Sequence, residues 1–468
     1  MTATFPITRV ASAGNDSTEL PPAELCELSG RIVMPGDPDF DKACQAWNLA
    51  VDQRPEFVVQ VADVTDIVAV IDYARANGLR VAPQGTGHNA APLGNLAGAI
   101  LLRTDLLREV TVHPAARVVR VGAGVLWKEV TEALAPHGLT ARAGSSPDVG
   151  VVGYTLGGGY SWLSRKHGLA VSAVTAIEIV TGDGTFHRVD AQHEPELFWA
   201  VRGGGGNGCV VSAIEFGVLP MSTVVAGNLF FPLERAGELL RAHSEWTKTV
   251  GDAATSCIRL LRLPPLPELP EFLSGKSLVV IDGAIDAPAD EAAAILAPLR
   301  ALGPTIDTFA EMPTAGLGMI HMHPPTPVPG VGDGMIIEEL TDDAIEALLE
   351  VAGPDAESGL LMVDLRQLGG AVGRPAEGGG AVDHFPGQYL LFTGGMAVSP
   401  EAAAAVHRDL AALRAALTPW MSDRDYSNFR EAAVPAGRFW DYVTLARLLA
   451  VVDQVDPDRV VRPGHSVS

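Results

Sequence analysis

Glycine constrains this chain more than any other residue. Three clusters, "GTGHN" (85–89), "GYTLGGGY" (153–160) and "RGGGGNG" (202–208), fall in one short stretch. Glycine lacks Cβ and reaches positive φ, so backbone N–H groups beside it can close on an anion. One such loop is ordinarily a tight turn. Three in succession point to loops that wrap a large, phosphate-bearing cofactor. No GxxxxGK[ST] occurs, which excludes a P-loop nucleotidase. Gly203, Gly205 and Gly208 satisfy GxGxxG, but "CVVSAIEF" behind them reads as a strand. The dinucleotide fingerprint needs a helix start at that point. No GxSxG elbow occurs either, which argues against a serine hydrolase.

The segments around these loops alternate strand and helix. "FVVQ" (57–60) reads as a strand, and "DVTDIVAVIDYARANG" as a helix capped by Asp63, with Ile67, Val70, Ile71 and Ala74 on one face and Gly78 as its stop. "LRVAPQG" returns as a strand into the first glycine loop. "VVRVGAG" and "LWKEVTEALAPHG" make a second strand–helix pair, and "AIEIVTGDGTFHRVD" a hairpin turning on Gly182–Asp183–Gly184. After about Pro220 the glycine clusters thin out. "KSLVVIDGAI", "GMIIEEL", "GLLMVDL" and "QYLLFTG" have strand character there, between longer helical stretches.

A length of 468 residues is too great for one compact core and implies two or three domains. A hydrophobic fraction of 47% can fill them. The formal charge of −23 disfavours nucleic acid and anionic membrane as partners. No apolar run is long enough to span a bilayer, and the first residues lack the pattern of a secretory signal. Residues 1–24 read as a polar leader. Cys26, Cys44, Cys209 and Cys257 lie far apart, so neither a zinc knuckle nor a disulfide framework is indicated, and a reducing cytoplasm is the expected location. His321 and His323 form an HxH that would share a face if extended. No acidic or Cys ligand has an evident tie to it, so no metal is expected.

Several longer stretches resemble one family. "RPEFVVQVADVTDIVAVIDYARANGLRVAPQGTGHN", "GSSPDVGVVGYTLGGGYSWLSRKHGL", "ELFWAVRGGGGNG", "YSNF" and "DPDRVVRPGHSV" are similar, in order, to motifs of the berberine-bridge-enzyme type of FAD-linked oxidases, in the vanillyl-alcohol-oxidase superfamily. The resemblance implies an α+β fold. A two-subdomain, PCMH-type FAD-binding domain would occupy 25–225. A mostly antiparallel substrate sheet backed by helices would occupy 226–414, and 415–468 would return to the FAD domain.

It also implies roles for residues. The histidine of the first loop, here His88, is joined covalently to the flavin 8α-methyl in that family. Gly85, Thr86, Gly87 and Asn89 would surround it. Gly144, Ser145, Ser146, Asp148, Val149, Gly150, Gly153, Tyr154, Gly157, Gly158, Gly159, Gly168, Val211 and Asn428 complete the expected cofactor contacts. Many relatives add a second link from a cysteine at the position of Ser146. A serine hydroxyl is a far weaker nucleophile than a thiolate, so a singly linked flavin is expected, as in the nicotine-oxidase-like branch. Val149 would leave oxygen a path to the flavin. Gln84, Ser161 and Cys209 depart from the residues common at their positions.

The implied reaction is oxidation of a small organic molecule, with O2 reduced to hydrogen peroxide. A dehydrogenase with another acceptor and a non-catalytic flavin-binding protein remain open. An alcohol substrate needs a base for its O–H proton. Tyr426 is the first candidate, with Arg424 or Arg430 beside it if the segment is extended, and Tyr154 a second phenol near the ring. "QYLLFTGG" would lie over the flavin with Thr393 near the base position. Asp383, His384, Tyr389, Glu338 and Glu339 are weaker alternatives.

Overall fold

The computed structural model describes residues 21–267 and 269–468, so nearly all of the 1–24 leader lies outside the described residues. Helix Val64–Asn77 begins where Asp63 Oδ1 accepts the Asp66 N–H at 3.0 Å. It ends where Gly78 turns left-handed at φ +67°. The helix buries Ile67, Val70, Ile71 and Ala74 against a four-stranded sheet. In that sheet Phe57–Gln60 and Arg80–Gln84 both run parallel to Ala99–Arg103, with Arg31–Val33 on the outer edge.

A five-stranded antiparallel sheet follows, ordered Val110–His113, Val118–Gly122, Cys209–Gly217, Val174–Thr181, Phe186–Asp190. The third glycine cluster leads into Cys209–Gly217 as a strand, so its GxGxxG spacing opens no helix.

An eight-stranded sheet spans 223–396. From Thr223–Pro232 its order runs through Ser277–Ile285, Ala254–Arg262, Met362–Gln367 and Tyr389–Met396 to Gly330–Ile337. Its first strand starts three residues before the expected boundary at 226, and its last helix, Pro400–Leu417, runs three beyond 414. Strand alternation sorts its side chains. Ile258, Ile281, Leu365 and Leu391 pack under helices Ala236–Thr249, Ala289–Arg300, Asp342–Ala352 and Pro400–Leu417. The opposite face carries Cys257, Arg259, Asp282, Asp364 and Arg366, all buried. Ile336 and Leu390 on that face pack with Tyr160, Leu169 and Val171 of the preceding sheet's connections.

The C-terminal segment closes both earlier cores. Val461 bridges Val81 in parallel, while Trp440, Leu448, Val452 and Val467 join the core of the five-stranded sheet. No helix among the described residues is long and apolar enough to cross a membrane.

Candidate active site

The first glycine loop leaves strand Arg80–Gln84 and turns at Gly87, φ +79°, where a Cβ would stand 2.8 Å from Ala46 Cβ. That close approach brings residues 46–48 against the loop. Trp47 stacks on His88 at 4.2 Å between centroids, 18° from parallel. His88 Nδ1 meets Thr86 Oγ1 at 2.8 Å, and Nε2 lies 3.5 Å from Asp148 Oδ1. Asp148 accepts the Trp47 indole N–H at 2.6 Å and the Ser146 hydroxyl at 2.7 Å. Burial alone would raise the Asp148 carboxyl. Hydrogen bonds from His88, Ser146 and Trp47 outweigh it and hold the group well below the usual carboxylate range.

The second cluster meets the C-terminal motif. A Cβ on Gly157 would overlap Asn428 Oδ1. Asn428 donates from Nδ2 to Tyr154 O and to Tyr426 OH, both at 2.8 Å. Tyr426 OH also accepts the Tyr160 N–H at 3.3 Å. Asn89 reaches the same motif, its Nδ2 donating to Ser427 O at 2.9 Å. Phe385, Tyr426, Phe429 and Phe392 form a continuous aromatic wall, each ring 5.0 Å from the next. Gly158, at φ +124°, abuts Phe385 and Tyr426.

The expected cofactor residues thus converge from four separate stretches, 85–89, 144–150, 153–159 and 426–428. A Cβ on Gly150 would stand 3.8 Å from Thr86 Cγ2, and nothing lies within 4 Å of a Cβ on Gly153. Two buried polar atoms of the first loop, His88 Nε2 and Asn89 Oδ1, have no hydrogen-bond partner. The unpaired Asn89 Oδ1, the open space at Gly153 and the convergence of these four stretches fit a flavin nucleotide. Val211 is buried in its strand beside Val151 and Val152. Gly168, at φ +78°, terminates helix Ser164–His167.

Several expected proton acceptors fall away. The Tyr154 hydroxyl donates to Arg142 O at 3.1 Å, and its ring is wedged between Gly144 and Gly159, at 2.9 and 2.6 Å from where their Cβ atoms would be. Its hydroxyl hydrogen is committed to Arg142 O, so Tyr154 serves as packing. Thr393 and Tyr389 lie on the helix-facing side of their strand. Thr393 bonds Met362 O, and Tyr389 bonds His243 and Thr247. Their neighbour Phe392 points to the opposite face of the strand and packs on Phe429. His384 pairs with Asp383, and Glu338 and Glu339 are exposed beyond their strand. Residues 427–429 form a 3-10 turn, not a strand. Arg430 therefore pairs with Asp333 and Asp425, and Arg424 bonds Gly437 O. Neither guanidinium serves Tyr426, and burial pushes its phenol up to about 12.

The HxH also reads differently. It is not extended, and acidic partners do reach it. His321 Nδ1 lies 2.8 Å from Asp282 Oδ2, and Nε2 lies 2.9 Å from Asp364 Oδ2. Cys257, Asp282 and His321 bring possible ligand atoms within 4.8 Å of one another. However, Arg259 already stands 2.8 Å from Asp282 Oδ2, and both imidazole nitrogens face carboxylates. This is an ion-pair hub, not a metal nest. Burial, with nearby cations, holds His323 well below its ordinary value. The neutral ring continues a chain in which Arg366 donates to Ser145 Oγ at 3.0 Å and Ser145 meets His323 Nε2 at 3.1 Å.

Sequence reasoning missed Trp47, Arg366, the three phenylalanines of the wall, and Glu431. Burial raises the Glu431 carboxyl to about 7. The one available signal was "MVDLRQ", where charges at alternate positions interrupt an apolar strand.

Residues 55–190 match the FAD binding domain family. (R)-6-hydroxynicotine oxidase of Paenarthrobacter nicotinovorans is 32% identical over 188 residues, 40% of this chain and 41% of that protein. An uncharacterized FAD-linked oxidoreductase of Bacillus subtilis, YgaK, is 29% identical over 240 residues, 50% of this chain and 53% of that protein. The aligned stretch thus spans about half the length of these curated relatives or less. Over the whole chain the fold is that of berberine-bridge-enzyme-like proteins. The BBE-like 1 protein of Physcomitrella patens superposes with a TM-score of 0.84 at 19% identity, covering 95% of this chain and 98% of that one. The 6-hydroxy-D-nicotine oxidase of Arthrobacter nicotinovorans gives 0.83 at 22%, covering 94% and 98%. The resemblance seen in the sequence motifs therefore holds for the FAD-binding domain and for the fold.

Proposed function

We propose that this chain is an FAD-dependent oxidase that removes two electrons from a small organic substrate and returns them to O2 as hydrogen peroxide. The observation that carries it is the convergence of the His88–Asn89 loop, the Gly157 cluster and the Asn428 motif on one another. FAD, when bound there, supplies the two-electron acceptor. The chain's own residues hold it, orient the substrate and manage a proton. His88 anchors the cofactor through a single covalent link, because Ser146 offers no thiol and its hydroxyl is committed to Asp148. The aromatic wall excludes water from the reacting face.

Tyr426 meets the substrate hydroxyl. Its oxygen already accepts two N–H donors, from Asn428 and Tyr160. The phenolic hydrogen is therefore directed elsewhere, and negative charge on this oxygen is supported when it forms. Val149, part-buried at the head of helix Val151–Leu156, borders the path that oxygen takes. The FAD domain, the substrate sheet and the returning tail divide the work at about 25–222, 223–417 and 418–468.

Acid precipitation tests the anchor. Flavin should stay with the pellet, and digestion should place it on the His88 peptide alone. All flavin in the supernatant, or an adduct on a cysteine peptide, contradicts the reading. Photoreducing the flavin and timing its return in air tests the acceptor. Fast reoxidation supports an oxidase and slow reoxidation a dehydrogenase. A broad substrate panel that never bleaches the flavin favours a binding protein.

A further inference from the structure

The arrangement around His88 does more than supply a nucleophile. A free imidazole has two nitrogens and can tumble between tautomers. Here three neighbours remove that freedom. Trp47 lies flat against the ring and fixes its plane. The same indole donates its N–H to Asp148 Oδ2, so one side chain sets both the ring and the carboxylate. Ser146 donates to Asp148 Oδ1 and leaves that oxygen's second lone pair toward His88 Nε2. A carboxylate only accepts, so the nitrogen facing it is the one that carries hydrogen. Nδ1 then holds the lone pair and accepts from Thr86 Oγ1 at 2.8 Å.

We infer that Asp148, clamped by Trp47 and Ser146, is the positioning residue for covalent flavin attachment: it keeps the His88 hydrogen on Nε2, makes Nδ1 the bonding atom, and balances the imidazolium charge that appears as the bond forms. This rests on the reading of His88 as the covalent anchor. The step balances as follows. A bond forms between Nδ1 and the flavin 8α carbon, and that carbon gives one proton to solvent. Alkylation leaves the ring as an imidazolium whose charge Asp148 balances, and its Nε2 proton then leaves to solvent. Two electrons pass into the ring system, and dioxygen removes them as hydrogen peroxide. The hydrogen bonds that depress the Asp148 carboxyl keep it ionised across the working pH range, so it offers the imidazolium a fixed negative charge. The logic is that of an acid–histidine pair, in which the carboxylate sets tautomer and orientation.

The test uses full-length protein purified from flavin-limited cells, then incubated with FAD in air. Covalent flavin is followed by fluorescence of the denatured band, and non-covalent flavin by its release on denaturation. Asp148→Asn should bind FAD yet attach it at least ~10-fold more slowly. Trp47→Phe keeps the stacked ring but loses the indole N–H, so it should slow attachment too. Asp148→Glu should recover part of the rate. The flavin peptide from wild-type protein should carry its link on Nδ1 by NMR. Attachment by Asp148→Asn at the wild-type rate overturns the inference, and so does a link on Nε2. If Asp148→Asn does not fold, Trp47→Phe and the link position still decide. If wild-type protein attaches no flavin, the covalent reading itself has failed, which is a different result from normal attachment in the variants.

Discussion

Glu431→Gln should make the protein more stable, and increasingly so as pH rises. Glu431 Oε2 accepts the Gly332 N–H at 3.0 Å. Its other oxygen and Phe392 Cζ crowd the place a Gly332 side chain would take. Burial, with Asp333 nearby, outweighs the Gly332 hydrogen bond and lifts the carboxyl from an ordinary 4.5 to about 7. Unfolded, the group titrates near ~4.3. Between those values the folded chain holds a proton that the unfolded chain releases. The stabilisation is complete below the unfolded value and is lost as pH climbs through the folded one. Glutamine keeps an acceptor for Gly332 and cannot ionise. Relative to wild type, the variant should gain ~1 kcal/mol at pH 5 and ~3 kcal/mol at pH 8. Denaturant unfolding followed by tryptophan fluorescence at pH 5, 6.5 and 8 measures this. A difference that fails to grow from pH 5 to 8 would show that Glu431 ionises freely.

Three further outcomes are expected. Tyr426→Phe should cut flavin reduction by substrate ~10²–10⁴-fold with normal flavin content, while a loss under ~10-fold in stopped-flow absorbance would leave Tyr426 as a wall of the pocket. Val149→Leu should slow reoxidation in air and spare reduction by substrate, since one added methylene is felt in a packed site; an unchanged oxygen rate removes Val149 from the path. Gly157→Ala should displace Asn428, break its bonds to Tyr154 and Tyr426, and cost ~1–3 kcal/mol, and adding Asn428→Ala should recover part of that loss if the clash is the cause.

Local signals were legible where neighbouring residues decide them. Asp63 and Gly78 delimit their helix because an N-cap acceptor and a left-handed stop act within a few residues. The glycine loops were readable because Gly87 and Gly158 need positive φ and close approach. What the sequence does not reveal depends on register and distance. Thr393 and Phe392 differ by one position, and a one-residue shift reverses the face of a strand. Trp47 meets Asp148 across 101 residues, and Arg366 meets Ser145 across 221, separations that no spacing rule spans. The predicted Arg–Tyr426 pairing failed because 427–429 turn as a 3-10 helix, which removed the assumed alternation.

The charged face of the eight-stranded sheet reaches the loop that carries Ser145, Ser146 and Asp148. Asp282, His321, Asp364, Arg259 and Arg366 are all nearly water-free. Such a group gives little net stability, because desolvation consumes most of what the ion pairs return. Removing one member would nevertheless strand its partners, so the set holds together as a unit. It gives direction instead. Asp364 fixes Arg366 from the sheet, Arg366 stacks over Phe429 with its guanidinium carbon 4.9 Å from the ring centroid, and its Nη1 holds Ser145 Oγ. Ser145 is next to Ser146, whose hydroxyl holds Asp148. The hub therefore ties the charged face of the sheet to the loop that carries Asp148 and to the aromatic wall at once. Polar bonds join the sheet to the Ser145–Asp148 loop, and the Phe429 ring joins it to Tyr426, so elements from different parts of the chain are held by one set of contacts.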